Sequence, residues 1–167
     1  EDSVTRDAWT WVSGSNSTNQ QANYGDKNLP DKGNIPGARM FAAEWYDSGK
    51  QELWIFGGLG FDSTSKGSKV NMYCLEEHYL PFTPHYVGIL NDLWRYSVID
   101  DTWTWISGSK IANQTGVYGE KGKPSTANAP GSRIGPVGWY NSSTQELWLF
   151  GGLGLHSGRT CAWPLFL

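Results

Sequence analysis

Apolar and polar positions alternate with period two in Trp9-Thr10-Trp11 and again in Trp103-Thr104-Trp105, which puts both indoles of each pair on one face of an extended strand. Leu53-Trp54-Ile55-Phe56 and Leu147-Trp148-Leu149-Phe150 are apolar at every position, so strands there need cover on both faces. Gly57-Gly58 and Gly151-Gly152 end them, where the backbone needs positive φ or a close approach. Leu93-Trp94-Arg95-Tyr96-Ser97-Val98 reads as a further strand that turns through Asp100-Asp101 into the Trp103 strand. The pattern predicts an all-β unit of four antiparallel strands near 38–47, 51–57, 92–98 and 102–107. An outer strand at 7–13 precedes it, and the inner strands of a second unit follow within 133–151. Little helix is expected.

The two units are copies. Shifted by 94 residues, 9–60 aligns without a gap on 103–154, and 28 of those 52 positions are identical, where chance gives about three. Eight of the ten Trp fall in pairs at that spacing, so they belong to the architecture first. A tandem four-stranded unit with buried inner strands is the sequence form of a β-propeller blade. Pro36-Gly37-Ala38-Arg39, the strand ending in Gly57-Gly58, Asn91-Asp92-Leu93-Trp94-Arg95-Tyr96 and Trp103-Thr104-Trp105 resemble the kelch motif. Pro130-Gly131-Ser132-Arg133 and Gly151-Gly152 repeat it. The form is that of long-loop, galactose-oxidase-like and surface kelch proteins, and it covers 7–61 and 88–154. The resemblance implies a partial kelch propeller over 1–154, with a full blade at 38–107. Closed propellers need about four to eight blades. This chain therefore reads as part of a longer propeller, or as a piece whose open edges are covered by further blades or by a homo-oligomer.

Two stretches depart from the repeat, 66–87 and the tail 155–167. They hold both Cys and all three His, and are read as non-kelch sequence. Cys74, His78, His85, His156 and Cys161 are suitable zinc ligands but lack paired ligand spacing, so no metal is assigned. A disulfide between Cys74 and Cys161 fits better, because each follows the same strand of its unit.

A net charge of -3 lacks the basic surplus of a nucleic-acid or anionic-membrane surface. No apolar run reaches the ~18 residues of a membrane span. Neither a nucleic-acid partner nor membrane insertion is expected. Asn16, Asn113 and Asn141 begin Asn-x-Ser/Thr sequons in expected loops, which with the kelch resemblance leans toward a secreted or cell-surface glycoprotein. A galactose-oxidase-like copper centre would, as the resemblance implies, need His, Tyr and Cys ligands. The blades hold no His or Cys, so neither catalysis nor a cofactor is expected.

Antiparallel reversal sends 14–36, 60–90, 108–130 and the tail to one end of the blades, and the short turns near Asp47, Asp100 and Asn141 to the other. Long loops on a rigid sheet usually carry recognition. Asn19, Gln20, Tyr24, Asn113, Gln114 and Tyr118 are the candidate contacts for a protein or glycan ligand, amides and aromatic faces suiting both. The competing reading is that Tyr24-Gly25 and Tyr118-Gly119 pin their loops onto the blade. Arg39, Arg133, Glu52 and Glu146 recur in register, which favours structural bridging, and Asp92, Asp100 and Asp101 suit turns. A non-catalytic extracellular binding module is thus the leading function. An intracellular kelch adaptor is the alternative, and a non-catalytic piece of an oxidase-like enzyme the third.

Overall fold

The computed structural model describes residues 8–64, 87–156 and 159–162. Ten strands form antiparallel sheets, and no helix occurs among the described residues. The largest sheet joins β1 (Arg39–Met40), β2 (Ala43–Asp47), β3 (Glu52–Gly60), β4 (Gly88–Ser97) and β5 (Thr102–Ser107). Strands β2 to β5 lie side by side in chain order, and β1 pairs with the far end of β3. The second copy supplies β6 (Arg133–Ile134), β7 (Val137–Asn141) and β8 (Glu146–Phe150). There β7 and β8 form a hairpin, while β6 joins β9 (Leu153–His156) and β10 (Arg159–Ala162).

Period-two alternation sorts the first sheet into two apolar faces. Trp45 pairs with Trp54 and Trp54 with Arg95, so these residues share one face with Phe56 and Leu93. Ile55, Trp94 and Tyr96 take the other, opposite Trp105 and Trp103 of β5. The first face packs Ala43, Trp45 and Phe56 against Tyr140, Leu147 and Leu149 of the second hairpin. The second gathers Trp94 and Trp105 with Ala22 and Tyr24 from the preceding loop. Within the all-apolar run, Trp54 and Phe56 are covered on one face and Ile55 on the other, while Leu53 stays 41% exposed.

The repeat extends to backbone conformation. Positive φ recurs 94 residues apart at Asn19 and Asn113, Gln51 and Gln145, Gly57 and Gly151, and Gly58 and Gly152. Phe41, at φ 57°, stands where the second copy has Gly135 at 63°. A bulky side chain there is strained.

The structure corrects the sequence reading at three places. Residues 8–13 form no strand, and Trp9 and Trp11 stand exposed. Their counterparts in β5 are ordered by pairing with β4, and among the described residues no strand offers 8–13 the same ladder. Gly57-Gly58, expected to end its strand, lies inside β3, which runs on to Gly60 and pairs there with β1 and β4. The loop 14–36 is fastened to the sheet. Asn28 N and Asp31 N donate to the Trp105 and Trp103 carbonyls of β5, at 2.9 and 3.3 Å, so the loop covers the outer edge of the sheet. The tail, read as foreign to the fold, contributes β10, whose backbone pairs with β9. Most of the 66–87 stretch lies outside the described residues.

Candidate functional site

Loop and turn ends are distinct, as antiparallel reversal requires. At the loop end, Ala22 N donates to Asp62 O, Ser63 N to Lys110 O, and Ala112 N to the Asp62 carboxylate at 2.9 Å. Lys110 Nζ reaches Gly25 O at 2.8 Å. At the opposite end, Val98 N donates to Gln51 O and Lys50 Nζ to Gln145 Oε1. The loops are thus cross-linked into one surface.

Beneath that surface lies a buried polar centre. Asp92 is wholly enclosed in β4, at the irregularity where Asn91 and Asp92 stand opposite Gly57 of β3, and Arg39 reaches it from β1. Arg39 grips the carboxylate through both terminal nitrogens, at 2.7 and 2.8 Å. Tyr24 Oη and Trp94 Nε1 also donate to it, at 2.7 and 2.6 Å. Burial raises the Tyr24 pKa, reinforced by the Asp92 charge, so the phenol stays a neutral donor. Burial works against the Arg39 charge, but Asp92 and Tyr24 outweigh it and its pKa is raised. A carboxylate with this many donors is a structural clamp, and removing one partner of such a buried pair costs about 3–5 kcal/mol.

This centre overturns two assignments. Tyr24 is no ligand contact, because its ring lies in the core and its hydroxyl is taken. Asp92 is no turn residue but the acceptor that ties β4 to the loop. The signal was available in Arg39, a recurrent fork of donors that needs a planar acceptor, and in the position of Asp92 inside a strand. Arg39, expected to bridge blades, works within one sheet by also donating to Gly57 O at 3.1 Å. Glu52 does bridge structurally, to Arg95 at 3.2 Å, and Arg95 stacks over Trp54.

The remaining candidates divide. Asn19 is exposed, but Asn113 accepts Ile89 N through Oδ1 at 3.0 Å and fastens the start of β4. Gln114 Nε2 donates to Ala112 O at 3.0 Å, and Gln20 Nε2 lies 3.4 Å from Gln21 O, so both amides are engaged locally. Tyr118 is exposed and accepts Arg133 Nη2 at 3.2 Å. Of the sequons, Asn16 lies in an exposed loop. Asn141 is the last residue of β7 rather than a loop residue, its Oδ1 accepting Ser143 N. Cys74 lies outside the described residues, as do His78 and His85, and of Cys161 only the backbone in β10 is described.

The second copy exposes what the first buries. Tyr24 is 2% exposed and Tyr118 64%; Trp45 is 6% and Trp139 47%; Phe56 is 4% and Phe150 48%. Trp139 and Trp148 stack at 5.8 Å and, with Tyr140, Asn141 and Ser142, line an open hollow of about 370 Å³. Among the described residues, no group of three or more His, Cys, Asp or Glu could hold a metal ion, and no helix is long and apolar enough to cross a membrane. No protein-family model matches the chain, and no curated protein matches it.

Proposed function

We propose that the chain is a non-catalytic binding module made of kelch-type propeller blades, acting at the cell surface or outside the cell. In this reading β2 to β5 are one blade, and β7 and β8 are the inner strands of the next. The chain-order meander and the face-to-face packing of the second hairpin on the first sheet support that assignment. Recognition belongs to the loop end, where Asn19, Ile111, Val117 and Tyr118 are exposed on loops. The observation that carries the reading is the cross-linking of 20–38, 60–64 and 108–116 by hydrogen bonds between loops and to the strands. It lets side chains be presented to a protein or glycan without a large ordering cost on binding.

A panel of immobilised glycans probed with the full chain tests the glycan form. Saturable binding, weakened about tenfold by Tyr118→Ala at unchanged thermal midpoint, is expected, since one aromatic contact is worth about 1–2 kcal/mol. Binding indifferent to Tyr118→Ala and Asn19→Ala would remove the loop end from consideration. Absence of binding to every glycan would leave a protein as the ligand, for the extracellular module and the intracellular adaptor alike.

A further inference from the structure

We propose that Asn16 is the residue of this chain that carries an N-linked glycan, and that Asn113 and Asn141 stay unmodified because the fold uses their amides. The repeat acts as an internal control on the three sequons, since a side chain that both copies use in the same way serves the architecture. Asn113 corresponds to Asn19, where Gln21 stands in the third place and there is no sequon. Both hold positive φ, at 64° and 58°, a region that asparagine tolerates better than most residues. Asn113 is also tied to β4 twice. Its N donates to Ile89 O at 2.7 Å, and its Oδ1 accepts Ile89 N at 3.0 Å. Asn141 corresponds to Asp47, and both cap the turn after their strand. Asp47 Oδ1 accepts Gly49 N and Lys50 N, and Asn141 Oδ1 accepts Ser143 N at 3.1 Å. A carboxylate serves there as well as an amide, so the position calls for a side-chain acceptor. Pairing with Glu146 further holds Asn141 in the hairpin.

Asn16 has none of these ties. Its counterpart is Lys110, so the repeat asks for no amide at this position. Lys110 reaches Gly25 O along an exposed surface, which puts the position on the solvent side of the loop end through the repeat itself. Asn16, Ser17 and Thr18 are all exposed, and Ser17 N donates to Ser15 Oγ. Among the described residues the Asn16 amide makes no hydrogen bond.

The donor is a lipid diphosphate-linked oligosaccharide. Asn16 Nδ2 bonds to C1 of its first sugar, the bond from C1 to the phosphate oxygen breaks, and the lipid diphosphate leaves. One Nδ2 proton passes to a base of the transferase. Asn113 and Asn141 could present Nδ2 in this way only by giving up the bonds that fasten β4 and the turn, whereas a bulky, solubilising group at Asn16 displaces nothing.

This assignment rests on the secretory reading of the chain, so the test supplies the route itself. The full chain is expressed behind a secretory signal in cultured animal cells, and its glycans are released enzymatically in heavy-oxygen water, which turns a modified asparagine into labelled aspartate. Peptide masses should show the label at Asn16 and at neither Asn113 nor Asn141. Asn16→Gln should abolish the gel shift on deglycosylation, and Asn113→Gln with Asn141→Gln should leave it unchanged. Chain retained in the cells is read in the same way as secreted chain. An unmodified Asn16, or label at either other site, overturns the proposal and leaves binding at the loop end to its own assay. A second measurement addresses the cause. Asn113→Gln should lower the thermal midpoint by about 2–4 °C through the lost bond to Ile89 N, and Asn16→Gln should leave it in place. Equal midpoints for the two variants would show that the fold does not use the Asn113 amide, and would overturn the proposal as well.

Discussion

Tyr24 and Tyr118 have the same residue type, the same following glycine and the same place in the repeat, yet one is enclosed and one stands in solvent. The difference lies in Asp92, which the first tyrosine meets and the second has no equivalent for among the described residues. Sequence reading kept both possibilities open for this pair, ligand contact or loop anchor, and Tyr24 resolves to the anchor. Its raised pKa has a pH consequence. From its ordinary value of 10.0 the group is moved upward by burial first and then by Asp92. The neutral phenol therefore contributes stability that is complete below pH 10 and is lost as pH rises above it, where the unfolded chain ionises and the folded one resists. Denaturant unfolding followed from pH 8 to pH 11 should show stability falling above pH 10, and Tyr24→Phe should flatten that fall. Equal slopes for the two proteins would show that the phenol is not the group responsible.

At the scale of strands, the pairing pattern was largely legible. Apolar runs closed by Gly-Gly and period-two Trp pairs located β2, β3, β4 and β5 and the β7–β8 hairpin, because side-chain periodicity reflects which faces are buried. Residues 9–11 show the limit of that signal. Trp9-Thr10-Trp11 is identical to Trp103-Thr104-Trp105 of β5, but a ladder needs a neighbour, and the neighbour is not encoded in the strand itself. The packing of hairpin on sheet turns on a position that sequence reading passed over. A Cβ on Gly138 would stand 2.6 Å from the Trp45 ring, and that indole is held by its hydrogen bond to Trp148 O at 3.2 Å. Tyr140 adds a bond to Asp47 at 2.8 Å across the same junction. Gly138→Ala should therefore destabilise the chain by about 1–3 kcal/mol through overpacking, with a red shift in Trp emission as the hairpin lifts. Unchanged stability and emission would mean that the two sheets do not depend on this contact.

For the whole molecule, the two copies are alike in sequence and unlike in environment. Val137, Trp139, Trp148 and Phe150 form an exposed apolar face on the second hairpin, equivalent to the face that Ala43, Trp45, Trp54 and Phe56 bury in the first. Contiguous apolar surface of this kind binds amphiphilic dyes and promotes association. The full chain should enhance the fluorescence of such a dye, and Trp139→Ser with Trp148→Ser should remove about half of that enhancement while the thermal midpoint moves little. Dye binding unaffected by the pair would place the exposed apolar surface elsewhere. The chain's own residues determined the strands from β2 to β5 and the β7–β8 hairpin, their alternation and the 94-residue copying, because each depends on local backbone and on which side chains prefer to leave water. Tertiary structure decided which copy is covered, that loop 14–36 seals the edge of β5, and that Asp92 rather than a turn receives Arg39. Those outcomes depend on the element that arrives from far along the chain, and identical segments meet different neighbours.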